Sequence, residues 1–186
     1  MPSPRDDSVL VARAAQGDES AFRALVLAHE AALARTITAM IGVGDDADDV
    51  GQETFVRFFR ALDRFRGDAE LRTYLTRIAM NLSLDVLARR RRRIGWLRLV
   101  GSDADPPLEA PDASEGAGEE EQRVMVRKAV AELDPKHRAV VVLRFLEARS
   151  TKETAEILGV PEGTVMSRLK RALGKLKLTL DLEAKS

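Results

Sequence analysis

The chain has 186 residues, 45% of them hydrophobic and 32% charged, with 30 basic and 30 acidic side chains and no cysteine. That leaves room for one ordinary domain or two small ones, is too apolar for full disorder, and excludes disulfides and thiolate metal sites. No apolar run approaches the ~18 residues of a membrane span, MPSPRDDS lacks a signal-peptide core, and His29 and His137 read as packing or surface residues, so no metal, cofactor or membrane contact is expected.

In chain order, SVLVARAAQ is a short helical run stopped by Gly17. Asp18 then caps a helix to about Ile41, with Phe22, Leu25, Val26, Leu33, Ile37 and Met40 at a 3.6-residue period. Gly42 and Gly44 break it. Asp45, Asp46, Asp48 and Asp49 open a third helix, where carboxylates cap free N–H groups and oppose the helix dipole. Phe55, Phe58, Phe59 and Leu62 form its apolar stripe. After a break at Gly67, a fourth helix begins near Glu70, carries Leu71, Leu75, Ile78 and Leu82, and ends in the arginine run Arg89 to Arg93. Trp96 and Leu97 are expected to pack back on this part of the chain. No useful length alternates as a half-buried strand would.

From Gly101 to Gly118 proline, glycine, serine and acid dominate, which reads as an extended linker. Beyond it, Asp134-Pro135 marks a helix start with the stripe Ala139, Val142, Leu143 and Leu146. Ser150 or Thr151 caps a shorter helix, with Glu153 or Glu156 in capping range, and Gly159 ends it. Pro161 opens the last helix, whose core stripe is Val165, Leu169, Ala172, Leu173 and Leu176. Short helix, tight glycine turn and second helix make a helix-turn-helix. The fold class is therefore all-α: two small helical domains joined by a flexible acidic linker, the second a helix-turn-helix. The boundaries fall at residues 1–94, 95–118 and 119–186.

The zero net charge conceals segregation. Residues 62–93 hold nine cations and four anions, 94–122 one cation and eight anions, and 123–186 fourteen cations and eight anions. Two basic blocks around an acidic spacer suit two surfaces that meet a polyanion. On the last helix Met166, Ser167, Lys170, Arg171 and Gly174 lie opposite the core stripe, flanked by Thr164, Arg168 and Lys175. A recognition helix needs this arrangement, short polar and cationic side chains toward base edges and flanking groups toward phosphates. Arg171 suits a guanine edge.

The segment STKETAEILGVPEGTVMSRLKRALGKLK resembles the −35-binding domain of bacterial sigma-70-family sigma factors, most closely their extracytoplasmic-function (ECF) group. DADDVGQETFVRFFRAL is similar to that family's polymerase-binding helix, and FRGDAELRTYLTRIAMNLSLDVLARRRRR to its promoter-melting element. The likeness spans about residues 8–178, with three motifs in order. Departures include Gly51, Tyr74, Ala88, Thr154 and Met166, the last at a position that would face bases.

The resemblance implies no enzymatic activity. It implies docking on core RNA polymerase through Asp49, Gln52, Glu53, Val56 and Phe59. It implies −10 recognition and melting through Phe65, Arg66, Gly67, Asp68, Arg77, Asn81, Arg89, Arg90, Arg91 and Arg92. The −35 contacts would be Thr164, Met166, Ser167, Arg168, Lys170, Arg171 and Lys175. Core polymerase and promoter DNA are the implied partners, with a separate anti-sigma factor as a third, in the cytoplasm. A stand-alone helix-turn-helix regulator built on residues 120–180, or a helical adaptor, would leave the upstream motifs without a purpose.

Overall fold

A computed structural model describes residues 4–65, 70–99 and 119–183. Every described element is helical: α1 (Pro4–Ala15), α2 (Glu19–Ile41), α3 (Asp45–Ala61), α4 (Leu71–Leu99), α5 (Glu119–Ala131), α6 (Pro135–Val141), α7 (Thr151–Leu158) and α8 (Glu162–Glu183). The expected linker falls almost wholly outside the described residues.

Local chemistry accounts for most boundaries. Asp18 accepts from the Ser20 and Ala21 amides at the start of α2, while the Ser20 hydroxyl and then the Arg13 guanidinium hold its carboxyl well below the usual carboxylate range. Asp134 caps α6, with Pro135 next. Ser150 and Glu153 form a full capping box on α7, and Gly159 ends that helix in the left-handed region at φ 62°. The start of α3 departs from expectation. Gly44 stands at its cap position without a side-chain hydrogen bond, so the acids of the first turn act on the dipole only, and Asp46 has a second partner.

α1 to α4 pack around α2 and α4. Leu25, Ile37, Met40, Phe58, Leu75 and Met80 are fully buried there. Phe58 is the aromatic centre, 6.1 Å from Phe22, 5.9 Å from Phe65 and 6.2 Å from Tyr74. His29, buried, faces Asp7 at 3.0 Å and ties α2 to α1. α2 corrects one expectation: it is long and apolar enough to cross a membrane. Here its apolar residues are the inner face of a helical core, and Glu19, Arg23, Glu30 and Arg35 interrupt the rest.

α5 to α8 make a second group in which α8 lies against α5, α6 and α7. Between α6 and α7 the helix widens into a π turn, Val142–Leu146, then reverses at Ala148 with φ 52°. The extra residue in the π turn rotates its end outward. Leu146, expected in the core, is exposed for this reason.

The two groups share one core. Ala139, Val142, Leu143 and Ile157 join the α1–α4 cluster. Polar contacts frame the joint. The Glu147 carboxylate, only 3% exposed, accepts from Thr36 Oγ1 at 2.6 Å and from Arg72 Nη2 at 2.6 Å. Arg149, two residues on, donates to Thr73 Oγ1 at 3.3 Å and to Glu153 at 3.0 Å. Arg138 donates to the Met40 carbonyl, and burial, then Arg91 and Arg90 nearby, lower its pKa to about 10.

The joint and the α7 cap make three substitutions informative. Removing Glu147 takes the buried acceptor from Arg72 and leaves the Thr36 hydroxyl only the Ala32 carbonyl at 3.1 Å, at a cost of roughly 1–2 kcal/mol to the joint. With cysteines introduced at Leu27 and Leu178 for paired dyes, Glu147→Ala is expected to lower energy transfer between the groups while helix content stays unchanged. Ser150→Ala is expected to cost about 1 kcal/mol in thermal unfolding. The Ser150 hydroxyl and amide, with Arg149, lower the Glu153 pKa from 4.5 to about 2. A depressed carboxyl stabilises above its unfolded value, so this contribution is full above about pH 4.5 and fades toward pH 2. Glu153→Gln should flatten that part of the acid-unfolding profile.

Candidate nucleic-acid and polymerase interfaces

The outer side of α8 is what its sequence foretells. Val165 and Ala172 are fully buried against Val140, Ala155, Leu133 and Val141. Opposite them, Ser167, Lys170, Arg171 and Lys175 are exposed, as is Met166 at 55%, and Thr164 and Arg168 are half-buried at the flanks. Three details differ from expectation. Leu173 is 42% exposed, because Val165, Leu169, Ala172 and Leu176 already fill the helix's inner face and Leu173 lies about 80° to one side. Lys175 donates to the Glu132 carbonyl at 3.2 Å, which gives it a structural partner. Ser167 returns its hydroxyl to the Thr164 carbonyl.

The expected polymerase face of α3 is one surface. Asp49, Gln52, Val56 and Phe59 are exposed and Glu53 is half-exposed, salt-bridged to Arg57 at 2.9 Å. Phe59 is 57% exposed, held at one edge by Phe22 at 5.1 Å. Phe55 turns inward against the core. The fixed aromatic and its acid–amide rim are thus available together.

The expected −10 residues are distributed less simply. Arg66, Gly67 and Asp68 lie outside the described residues. Phe65 is packed 5.1 Å from Tyr74 and belongs to the core cluster. Arg77 and Asn81 are exposed one turn apart on α4. The arginine run stays helical rather than ending the helix, and it divides. Arg89 and Arg92 are exposed. Arg90 grips Asp46 with two bonds of 2.9 and 2.6 Å and the Ile41 carbonyl at 2.7 Å. Arg91 reaches Asp134 at 3.0 Å, and there the Lys136 amide and Arg91 pull that carboxyl's pKa down against the effect of its partial burial. Trp96 is 63% exposed and does not pack back on the helices; the side chain of Leu97 lies outside the described residues. Among the described residues no three His, Cys, Asp or Glu side chains gather as metal ligands. Nor did the sequence single out Thr36, Arg72, Glu147 or Arg149, the residues of the joint.

The chain matches two family models and several known relatives. Residues 25–93 match the model of sigma-70 region 2, and residues 129–178 match that of sigma-70 region 4. The chain is 35% identical over 184 residues to the ECF RNA polymerase sigma-E factor of Escherichia coli K12, covering 92% of this chain and 93% of the relative. The chain belongs to the ECF group of the sigma-70 family. The sigma factor CnrH of Cupriavidus metallidurans is 34% identical over 98% of both chains. Its solved structure, in complex with the cytosolic domain of CnrY, superposes with a TM-score of 0.68 at 33% identity, over 95% of this chain and 98% of that one. A Bartonella quintana sigma factor, RpoE, shares the fold at 22% identity and the same TM-score, over 86% of this chain and 96% of that one. In family terms, region 2 spans most of α2, all of α3 and α4 up to Arg93, and region 4 runs from the end of α5 through most of α8.

The split of the arginine run is testable. Arg90→Ala removes three hydrogen bonds that join α4 to α2 and α3, and is expected to cost about 1–2 kcal/mol in denaturant unfolding. Arg92→Ala should stay within about 0.5 kcal/mol of the parent.

Proposed function

We propose that this sigma factor binds core RNA polymerase and directs promoter-specific transcription initiation. In this reading it reads the −35 element through α8 and recognises and melts the −10 element through α4 and the loop before it. The observation that carries the reading is the outer face of α8: a polar, cationic surface opposite a buried stripe, with the capped α7 bracing it. Thr164, Met166, Ser167, Arg168, Lys170 and Arg171 form that face, with Lys175 at its rim. Asp49, Gln52, Glu53, Val56 and Phe59 of α3 serve as the polymerase contact. A stand-alone DNA-binding regulator would have no use for that exposed aromatic and its acidic rim. The domain limits we propose are 1–94 and 119–186, with 95–118 as linker.

Polymerase and promoter DNA place the chain in the cytoplasm. A protein antagonist, an anti-sigma factor, is a further partner, supported by the CnrH structure with the cytosolic domain of CnrY.

Transcription from a randomised promoter library by core polymerase, with and without the chain, tests the reading; dependence on the chain with selection of two spaced elements is expected. Glu53→Lys should weaken core binding without loss of helix. Arg171→Ala should relax preference at one position, by the ~10-fold or more that a bidentate base contact commands, while Arg168→Ala should weaken all sequences alike and lower the salt slope. Initiation that is the same without the chain overturns the proposal.

A further inference from the structure

Met166 stands among hydroxyls and cations on the outer side of α8, yet a thioether can neither pair with a phosphate nor donate a hydrogen bond. Met40 and Met80 are fully buried and Met125 is half-buried, whereas Met166 is 55% exposed. A lone exposed apolar side chain is ordinary on a protein surface. This one is held in place. The Thr151 hydroxyl, in the first turn of α7, donates to its Sδ at 3.8 Å, so the side chain bridges the two helices of the helix-turn-helix. Helical side chains lean toward the N-terminus, which carries Met166 over the turn that holds Gly163. Gly163 has no side chain, and even a Cβ there would meet no atom within 4 Å, so that surface is open. Lys170, exposed, follows one turn later, about 40° around the axis. The next exposed apolar side chain on this side, Leu173, is two turns away, about 10 Å along the axis, with Lys170 between them.

Base edges in the major groove present donors, acceptors and one apolar group, the 5-methyl of thymine. A thioether is at best a weak acceptor, so the polar groups give it little to select by. The methyl group does, because covering it removes apolar surface from water. The usual handicap of methionine as a contact is the freedom of three rotatable bonds, which binding must freeze. Here the bond from Thr151 already restrains the end of the side chain. Resting on the reading above, in which α8 reads the −35 element, we propose that Met166 selects thymine at one position of that element. It does so by packing its thioether on the 5-methyl group, with Thr151 as the positioning residue. The exposed Ser167, Lys170 and Arg171 beside it suit a polyanion, which is why the partner is a base edge.

The test uses holoenzyme reconstituted from core polymerase and the full chain, as parent, Met166→Ala, Met166→Leu and Thr151→Val. Closed-complex affinity is measured in the cold on the promoter that the library selects. Deoxyuridine replaces each −35 thymidine of either strand in turn, which removes only the 5-methyl group. For the parent, one replacement is expected to weaken binding about three- to fivefold, as loss of one covered methyl should. Met166→Ala is expected to bind the two promoters alike, Met166→Leu to keep the preference, and Thr151→Val to show a smaller one than the parent. Met166 is exposed, so its replacement removes no core contact. A parent indifferent to every replacement overturns the inference, as does a selected element without thymine. So does a Met166→Ala holoenzyme that keeps the full preference, or one that loses only affinity for core polymerase, which would assign the thioether to the polymerase. An undiminished preference in Thr151→Val removes the positioning role. If the parent chain itself neither binds core nor initiates, the underlying reading fails, and that outcome is distinct from a parent that initiates but ignores the missing methyl.

Discussion

A carboxylate buried between two groups of helices organises this molecule. Water would solvate Glu147 far better than any apolar surface does, so the fold must surround it with donors or lose heavily. Thr36 from α2 and Arg72 from α4 supply them, both at 2.6 Å. The bonds fix direction as well as energy, because only one approach of the helix-turn-helix onto α2 and α4 satisfies both donors at once. Ala148, held at positive φ, is what lets Glu147 and Arg149 point the same way from one tight reversal. The turn is strained so that the joint can be specific, and the widened helix just before it prepares the change of direction.

The same economy governs the cations of α4. Five consecutive arginines look uniform in sequence, yet a helix assigns each its own bearing. Arg90 clamps the start of α3 and Arg91 reaches α6 at Asp134, while Arg89, Arg92 and Arg93 are left outward. Continuity of the helix past the run, out to Leu99, is what separates them. A disordered tail would have presented all five alike.

Helix starts and stops were largely legible in the sequence, because caps act over three or four residues. Asp18, Asp134-Pro135, Ser150 with Glu153, and Gly159 each mark a boundary that the structure keeps. The outer face of α8 and the single face of α3 were legible for a similar reason: both follow from one helical period. Illegible were events that break the period or span the chain. The π turn moved Leu146 outward, and the fourfold inner row of α8 displaced Leu173. Phe65 joined the aromatic cluster around Phe58 although its neighbours suggested a loop residue. The partners of Glu147 lie 111 and 75 residues away, beyond any local pattern.

The closed joint also carries a length argument. Elements named −35 and −10 lie about 25 base pairs apart, roughly 85 Å of B-form duplex at 3.4 Å per step. Helices that touch through a hydrogen-bonded carboxylate cannot straddle such a distance. On the proposed reading, the arrangement that shelters Glu147 is a resting posture, folded like a pocket rule, and engagement with a gene requires that side chain to trade Thr36 and Arg72 for solvent or for a new companion.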